Sequence, residues 1–234
     1  MNILGVQMKV RYFKPLEYWV SKVNEMIDIL YIENYDHEEA HIKAKSFFMN
    51  HGEYTHMLLL NDDLLITPSH ISLLMEDVEH FKDECVVCGY SNVGFSNPWV
   101  NISFTDLRGV NVMYMEQYRF PSVYDALTGA LGYPFARVFF QGYVLTCIPR
   151  WIAEKLSFKP YKRTVDSLLG RYMYRGTMFD LQMSIELADM DVPVVCDTRL
   201  LVMHFGDTRR YIDLRRPRRM YLRRRDGSIE WIRV

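Results

Sequence analysis

Two adjacent carboxylates beside an amide, Asn61-Asp62-Asp63, follow the apolar run Met57-Leu58-Leu59-Leu60 and precede Leu64-Leu65-Ile66-Thr67-Pro68. Oxygen donors of this kind suit Mg²⁺ or Mn²⁺, ions that commonly bridge protein carboxylates and substrate phosphates. In open α/β sheets ligands collect at the carboxyl ends of strands, which is where an acidic turn after an apolar run would lie. The plainer reading is a solvated turn, because Asn and Asp are common turn formers. Cysteine chemistry is a weaker candidate. Cys85 and Cys88 have CxxC spacing but fall in the strand-like run Cys85-Val86-Val87-Cys88. Residues three apart on a strand face opposite ways, and no second ligand pair has zinc spacing. The four cysteines, with Cys147 and Cys196, therefore read as buried structural residues.

An acidic turn needs a scaffold, and the hydrophobic pattern describes one. Residues 3–10 read as a first strand, apolar enough to be buried on both faces. Pro15 lies near a helix start, with Leu16, Trp19, Val20 and Val23 on one face. A second strand is expected over 27–32, followed by a helix capped by Asp36 with a stripe of Ala40, Ala44, Phe47 and Phe48. Residues 57–60 form the third strand and deliver the acidic turn. Ser69 caps the next helix, and Val86-Val87 mark a fourth strand. Such β-α alternation predicts a parallel sheet covered by helices on both sides. Beyond residue 92 the rhythm changes. Short strands are expected over 99–104 and 110–115, a longer one over 138–148, a short helix through 156, a helix over 180–190 and a strand-rich stretch over 192–204. Near the end, Asp226-Gly227 signals a two-residue hairpin turn. With 234 residues, 49% hydrophobic, the chain can bury a core without disulfides or structural metal. One domain over 1–206 with an arginine-rich extension over 207–234 is the simplest division.

The segment 57–68 resembles the DxD region of family-2-like GT-A glycosyltransferases, which use nucleotide-sugars. That resemblance implies a GT-A-type, Rossmann-like α/β fold: a mainly parallel sheet flanked by helices, here with a C-terminal basic extension. It makes Asp63 the direct metal ligand, aided by Asn61, and puts Asp62 nearer the sugar or ribose. The cofactor implied is Mn²⁺ or Mg²⁺. Downstream, Gly176-Thr177-Met178-Phe179-Asp180-Leu181 is similar to the family segment whose second acid serves as catalytic base. Asp180 matches; Phe179 replaces the usual first acid. As base it would take the acceptor hydroxyl's proton, whereas as an ordinary residue it would cap its helix. The run 194–206 resembles the family's closing strands, so His204 would return to the metal, a role imidazole can fill; alone it would pass for a structural histidine. Phe139-Phe140-Gln141-Gly142-Tyr143 resembles the acceptor-side lining. There Gly142 would let the donor approach the backbone, and Gln141 would bond a hydroxyl or stand exposed on a strand. Lys9, Arg11 and Glu33 lie where the family contacts the nucleotide.

The net charge of −1 conceals an asymmetry, with ten arginines over 209–233. An acidic body with a basic tail points to an anionic partner or to a lid on the body itself. An anionic membrane surface would suit a lipid-linked or membrane-protein acceptor; glycan and protein acceptors fit as well. A nucleic-acid-binding protein acting through the tail is the non-enzymatic rival, though the acidic body argues against nucleic acid. Sugar-phosphate nucleotidyl transfer is the enzymatic one, and Gln7-Met8-Lys9-Val10-Arg11 lacks the glycine-rich loop it normally carries. The amino terminus reads as a strand rather than a signal peptide. The location expected is cytoplasmic, at most peripheral at a membrane.

Overall fold

The structure, a computed structural model, describes residues 1–9, 14–92, 100–108, 121–161, 164–166, 171–173, 177–205 and 216–233. Its first half follows the expected alternation: β1 (Ile3–Lys9), α1 (Lys14–Val23), β2 (Asp28–Glu33), α2 (His37–Asn50), β3 (His56–Asn61), a short β4 (Leu64–Leu65), α3 (Pro68–Phe81) and β5 (Val86–Ser91). β1 lies between β2 and β3, parallel to both. The strands read as unbroken apolar runs because each face of the sheet buries its own set. Leu4, Val6, Met57 and Leu59 pack with Phe47 and Phe48 of α2. On the other face, Ile3, Leu58 and Leu60 pack with Val20 and Val23 of α1 and with Ile71 and Leu74 of α3. Cys88 belongs to the first face and Cys85 to the second, and all four cysteines are buried and free. Asp36 caps α2 as expected, accepting from the Glu39 amide at 2.8 Å. Thr67, rather than Ser69, precedes α3, and its amide donates to His70 Nδ1 at 3.1 Å.

The second half comprises β6 (Ile102–Ser103), α4 (Val123–Leu127), β7 (Phe135–Val138), β8 (Phe140–Gln141), β9 (Thr146–Pro149), α5 (Arg150–Lys155), β10 (Thr164–Asp166), β11 (Arg171–Met173), α6 (Thr177–Asp189) and β12 (Val194–His204). The single strand expected over 138–148 is instead β8 and β9 separated by a turn, with Tyr143 and Leu145 left-handed at φ 57° and 47°. Gln141 Oε1 holds that turn by accepting from the Tyr143 amide and from Thr146 Oγ1, each at 2.7 Å. Val144 and Leu145 are apolar because the turn itself is buried, which imitates a strand in sequence. Of the strand expected over 99–104, the described residues show β6 and an isolated bridge between Asn92 and Val100. The strand expected over 110–115 lies outside the described residues.

The remaining strands are β13 (Arg219–Arg223) and β14 (Ile229–Trp231). The main sheet runs β14-β13-β2-β1-β3-β9-β5-β12-β4, with β7 also paired to β12. It is an α/β sheet, but more mixed than expected. β9 lies antiparallel between β3 and β5, and so separates the parallel block β2-β1-β3 from the parallel pair β5-β12. A hairpin forms around Asp226-Gly227, with Gly227 at φ 83°, but its turn is longer than the two residues expected: Arg223 pairs with Ile229 and the Arg224 amide donates to the Ser228 carbonyl, leaving residues 225–227 as the connection. Its first strand adds antiparallel to β2. Among the described residues no helix is long and apolar enough to cross a membrane.

Candidate functional site

β3 ends at Asn61, and the chain turns through Asp62 and Asp63 into β4. Asp62 and Asp63 are each 4% exposed, too buried for a merely solvated turn, while Asn61 is half-buried. β4 pairs antiparallel with the end of β12, Leu64 opposite His204, and the Phe205 amide donates to the Asp63 carbonyl at 2.8 Å. That pairing brings His204 Nε2 to 3.1 Å from Asp63 Oδ2, across 141 residues of chain. Two of the three implied metal ligands, Asp63 and His204, thus meet at the carboxyl end of the parallel strands.

Their separation bears on whether a divalent cation fits. An octahedral ion about 2.1 Å from each donor sets neighbouring donors about 3 Å apart, close to the spacing of Asp63 and His204. Among the described residues no group of three His, Cys, Asp or Glu side chains could hold a metal. The protein would therefore supply the Asp63 carboxylate, the His204 imidazole and at most the Asn61 amide. Mg²⁺-type sites are commonly completed by substrate phosphates and water, so a two-donor protein contribution is compatible with such an ion.

Asp180 lies within the first turn of α6, not at its cap, and is 8% exposed. Its Oδ1 accepts from the Leu181 amide at 2.9 Å. Residues 190–193 link α6 to β12. Phe179, in the first turn of α6, stacks on His41 at 5.0 Å and lies 5.8 Å from His37, so that turn sits beside the start of α2, which follows the carboxyl end of β2. Tyr143 reaches that turn from the β8–β9 connection and donates its hydroxyl to the Phe179 carbonyl at 2.9 Å. Burial first, then the nearby charges of Asp180 and Glu186, raise the Tyr143 phenol well above its ordinary range, so it stays a donor.

Two expectations about the acceptor side are corrected. Gln141 is fully buried rather than exposed on a strand, and its carbonyl oxygen is committed to the turn. The space in front of Gly142 is filled by the side chain of Asn101, whose Cβ stands 3.0 Å from where a Cβ on Gly142 would lie. Absence of a side chain there serves internal packing rather than a donor's approach.

At the ends of β1 and β2, Lys9 Nζ pairs with Glu17 at 2.8 Å and lies 3.9 Å from Glu33. Tyr221 of β13 donates to Glu33 Oε1 at 3.1 Å. Lys9 and Glu33 are thus brought together at the same carboxyl end of the strands as Asp63, whereas Arg11 lies outside the described residues. Nothing in the sequence linked Tyr221 to this place, because the tail's pairing to β2 carries no local signal.

A second polar cluster also escaped the sequence. Arg199 Nη2 bonds Asp77 Oδ1 at 2.9 Å and Asp197 Oδ2 at 2.8 Å, and its Nε reaches Asp197 Oδ1 at 3.0 Å. Asp77 and Asp197 are buried, so one guanidinium faces two buried carboxyl groups. Burial, with the hydrogen bond to Asp197 and its charge next in size, pushes the Asp77 carboxyl up to about 8. The cluster fastens α3 to the bulge that separates Cys196 from Leu201 in β12.

Neither family models nor curated proteins match this chain. Among solved structures it is similar to one titled A197 from STIV, at 16% identity and a TM-score of 0.55, covering 100% of this chain and 95% of that one. What the two share, end to end, is the fold: an α/β sheet with helices on both faces.

Proposed function

We propose that this chain is a GT-A-type glycosyltransferase, transferring a sugar from a nucleotide-sugar to an acceptor hydroxyl with Mn²⁺ or Mg²⁺. The observation that carries this reading is the 3.1 Å approach of His204 to Asp63 at the strand ends, beside buried Asp62. Asp63 and His204, with Asn61, would hold the cation, and Asp62 would face the sugar or ribose. When bound, the ion supplies positive charge where the leaving diphosphate accumulates negative charge. Asp180 accepts the acceptor hydroxyl's proton as that oxygen bonds the anomeric carbon and the sugar–phosphate bond breaks. The Tyr143 bond to Phe179 and the Asp180 bond to the Leu181 amide support this role by fixing the first turn of α6. Lys9 and Glu33, at the ends of β1 and β2, would flank the nucleoside.

Calorimetry with UDP- and GDP-sugars, in Mn²⁺ and in EDTA, tests the reading. Binding in Mn²⁺ that is lost in EDTA is expected. Equal affinity in both removes the ion from the mechanism, and no binding in either removes the function. The tail's partners belong to the same proposal. Arg218 pairs with Glu39, and Arg224 and Arg225 lie within 3.9 Å of Asp28, so part of the tail's charge already meets the acidic body. Docking to an anionic membrane or acceptor would fall to other arginines, such as the exposed Arg219 and Arg233.

A further inference from the structure

Among the described residues the arginine-rich tail supplies one edge of the sheet, with a distinctive surface. β14 is the outermost strand on its side of the sheet among the described residues, and its residues are exposed, Trp231 by 62% and Ile229 by 51%. Trp231 is also the last rung of an aromatic ladder. Tyr31 of β2 stacks on Tyr221 of β13 at 4.8 Å between ring centroids, and Tyr221 packs against Trp231 at 5.0 Å. The strand register aligns these three residues, Tyr31 opposite Tyr221 and Tyr221 opposite Trp231. Tyr31 is buried, Tyr221 half-buried and Trp231 exposed, so the ladder runs from the core to an unfilled position.

The backbone of β14 is arranged to accept another strand. The Arg224 amide donates to the Ser228 carbonyl at 2.9 Å, and the Ile232 amide donates to the Met220 carbonyl at 3.0 Å. Main-chain groups alternate sides along a strand, so those of residues 228, 230 and 232 face β13. Those of Ile229, Trp231 and Arg233 face outward. A strand with outward groups at alternate positions can pair antiparallel with its own copy about a two-fold axis.

Charge disfavours one register and suits another. Centring the axis on Glu230 would put two carboxylates directly opposite each other at the closest cross-strand spacing, which is unfavourable. Centring it on Trp231 puts Trp231 opposite Trp231, Ile229 opposite Arg233 and Glu230 opposite Ile232, with no like charges opposed. The two Glu230 side chains then lie only diagonally, each held by its own Arg224 at 3.1 Å. Arg233 falls diagonal to the other copy's indole, a placement that favours cation–π contact. The ladder continues unbroken through both molecules.

We propose that β14 is a self-docking edge: a second copy of this chain pairs antiparallel about Trp231 and joins the two sheets into one. This goes beyond the proposed transferase activity and does not rest on it. A pairing of this length belongs with the smaller specific interfaces, below about 1,200 Å², so association should be sought up to roughly 100 µM.

Sedimentation velocity of the full chain across that range is the test. A concentration-dependent species of twice the chain mass is expected, retained in Trp231→Tyr and lost in Trp231→Lys. Ile229→Pro removes an outward amide that makes no bond to β13, so it should abolish the dimer with an unchanged circular dichroism spectrum while keeping Trp231. Should Trp231→Lys fail to fold, Ile229→Pro decides alone. A monomer throughout the range overturns the proposal, as does a dimer that survives Ile229→Pro.

Discussion

Replacing Asp77 by Asn probes a feature that has no local signal among the residues. Asp77 and Asp197 share the one guanidinium of Arg199 in a buried cluster, so a proton must remain on the pair. The Asp77 carboxyl accordingly titrates near pH 8 in the folded chain, against about 3.9 for an unperturbed aspartate. Between those values the folded chain holds a proton that the unfolded chain has released. The stability associated with that proton is therefore complete below about pH 4 and is lost progressively as pH rises toward 8. Linkage for one proton gives about 1.4 kcal/mol per pH unit. Asn is neutral at every pH, and its amide can donate to Asp197 as the protonated acid does. Urea unfolding of both proteins at pH 5, 6 and 7, followed by circular dichroism, gives the stability difference at each pH. That difference should move in favour of Asp77→Asn by about 1.4 kcal/mol per pH unit. A constant difference across the three values would refute the shared proton. So would a shift of equal size in the wild type's favour.

Asp180→Asn should abolish sugar transfer while leaving nucleotide-sugar affinity nearly unchanged by calorimetry, because a base acts on the acceptor's proton; near-wild-type turnover would exclude Asp180 from that role. His204→Ala should weaken Mn²⁺-dependent donor binding at least tenfold, and an unchanged Mn²⁺ titration would leave the His204–Asp63 contact purely structural. Leu222→Ala should cost about 3 kcal/mol in chemical denaturation, the usual scale for a fully buried leucine. A cost near zero would mean that β13 adds little to the sheet. By the same reasoning a chain ending at Gly206 should lose cooperative unfolding rather than only a docking surface, since it uncovers the edge of β2 and removes buried Met220 and Leu222.

The α/β class and the position of the acidic turn were legible in the residues. Unbroken apolar runs such as Met57-Leu58-Leu59-Leu60 indicate strands covered on both faces, and Asp36 marks a helix start through a bond three residues away. Such signals survive in sequence because they are local. The β8–β9 turn was misread for the complementary reason. Val144 and Leu145 are apolar because other elements bury them, while the agent that bends the chain, Gln141, shows its role only through partners set by the fold.

Tertiary structure alone decided which distant groups meet. His204 and Asp63 come together because β4 pairs with the end of β12, and backbone pairing leaves no mark on residue type at such separation. Register likewise placed the tail against β2, converting an apparently free basic segment into a sheet edge with Tyr221 on Glu33. Composition could count the tail's arginines, but their pairing with Glu39, Asp28 and Glu230 depends on distance. The Asp77–Asp197–Arg199 cluster is the clearest case. Each residue reads as an ordinary surface charge in sequence, and only close packing of α3 on the β12 bulge forces two carboxyl groups to share one cation and one proton.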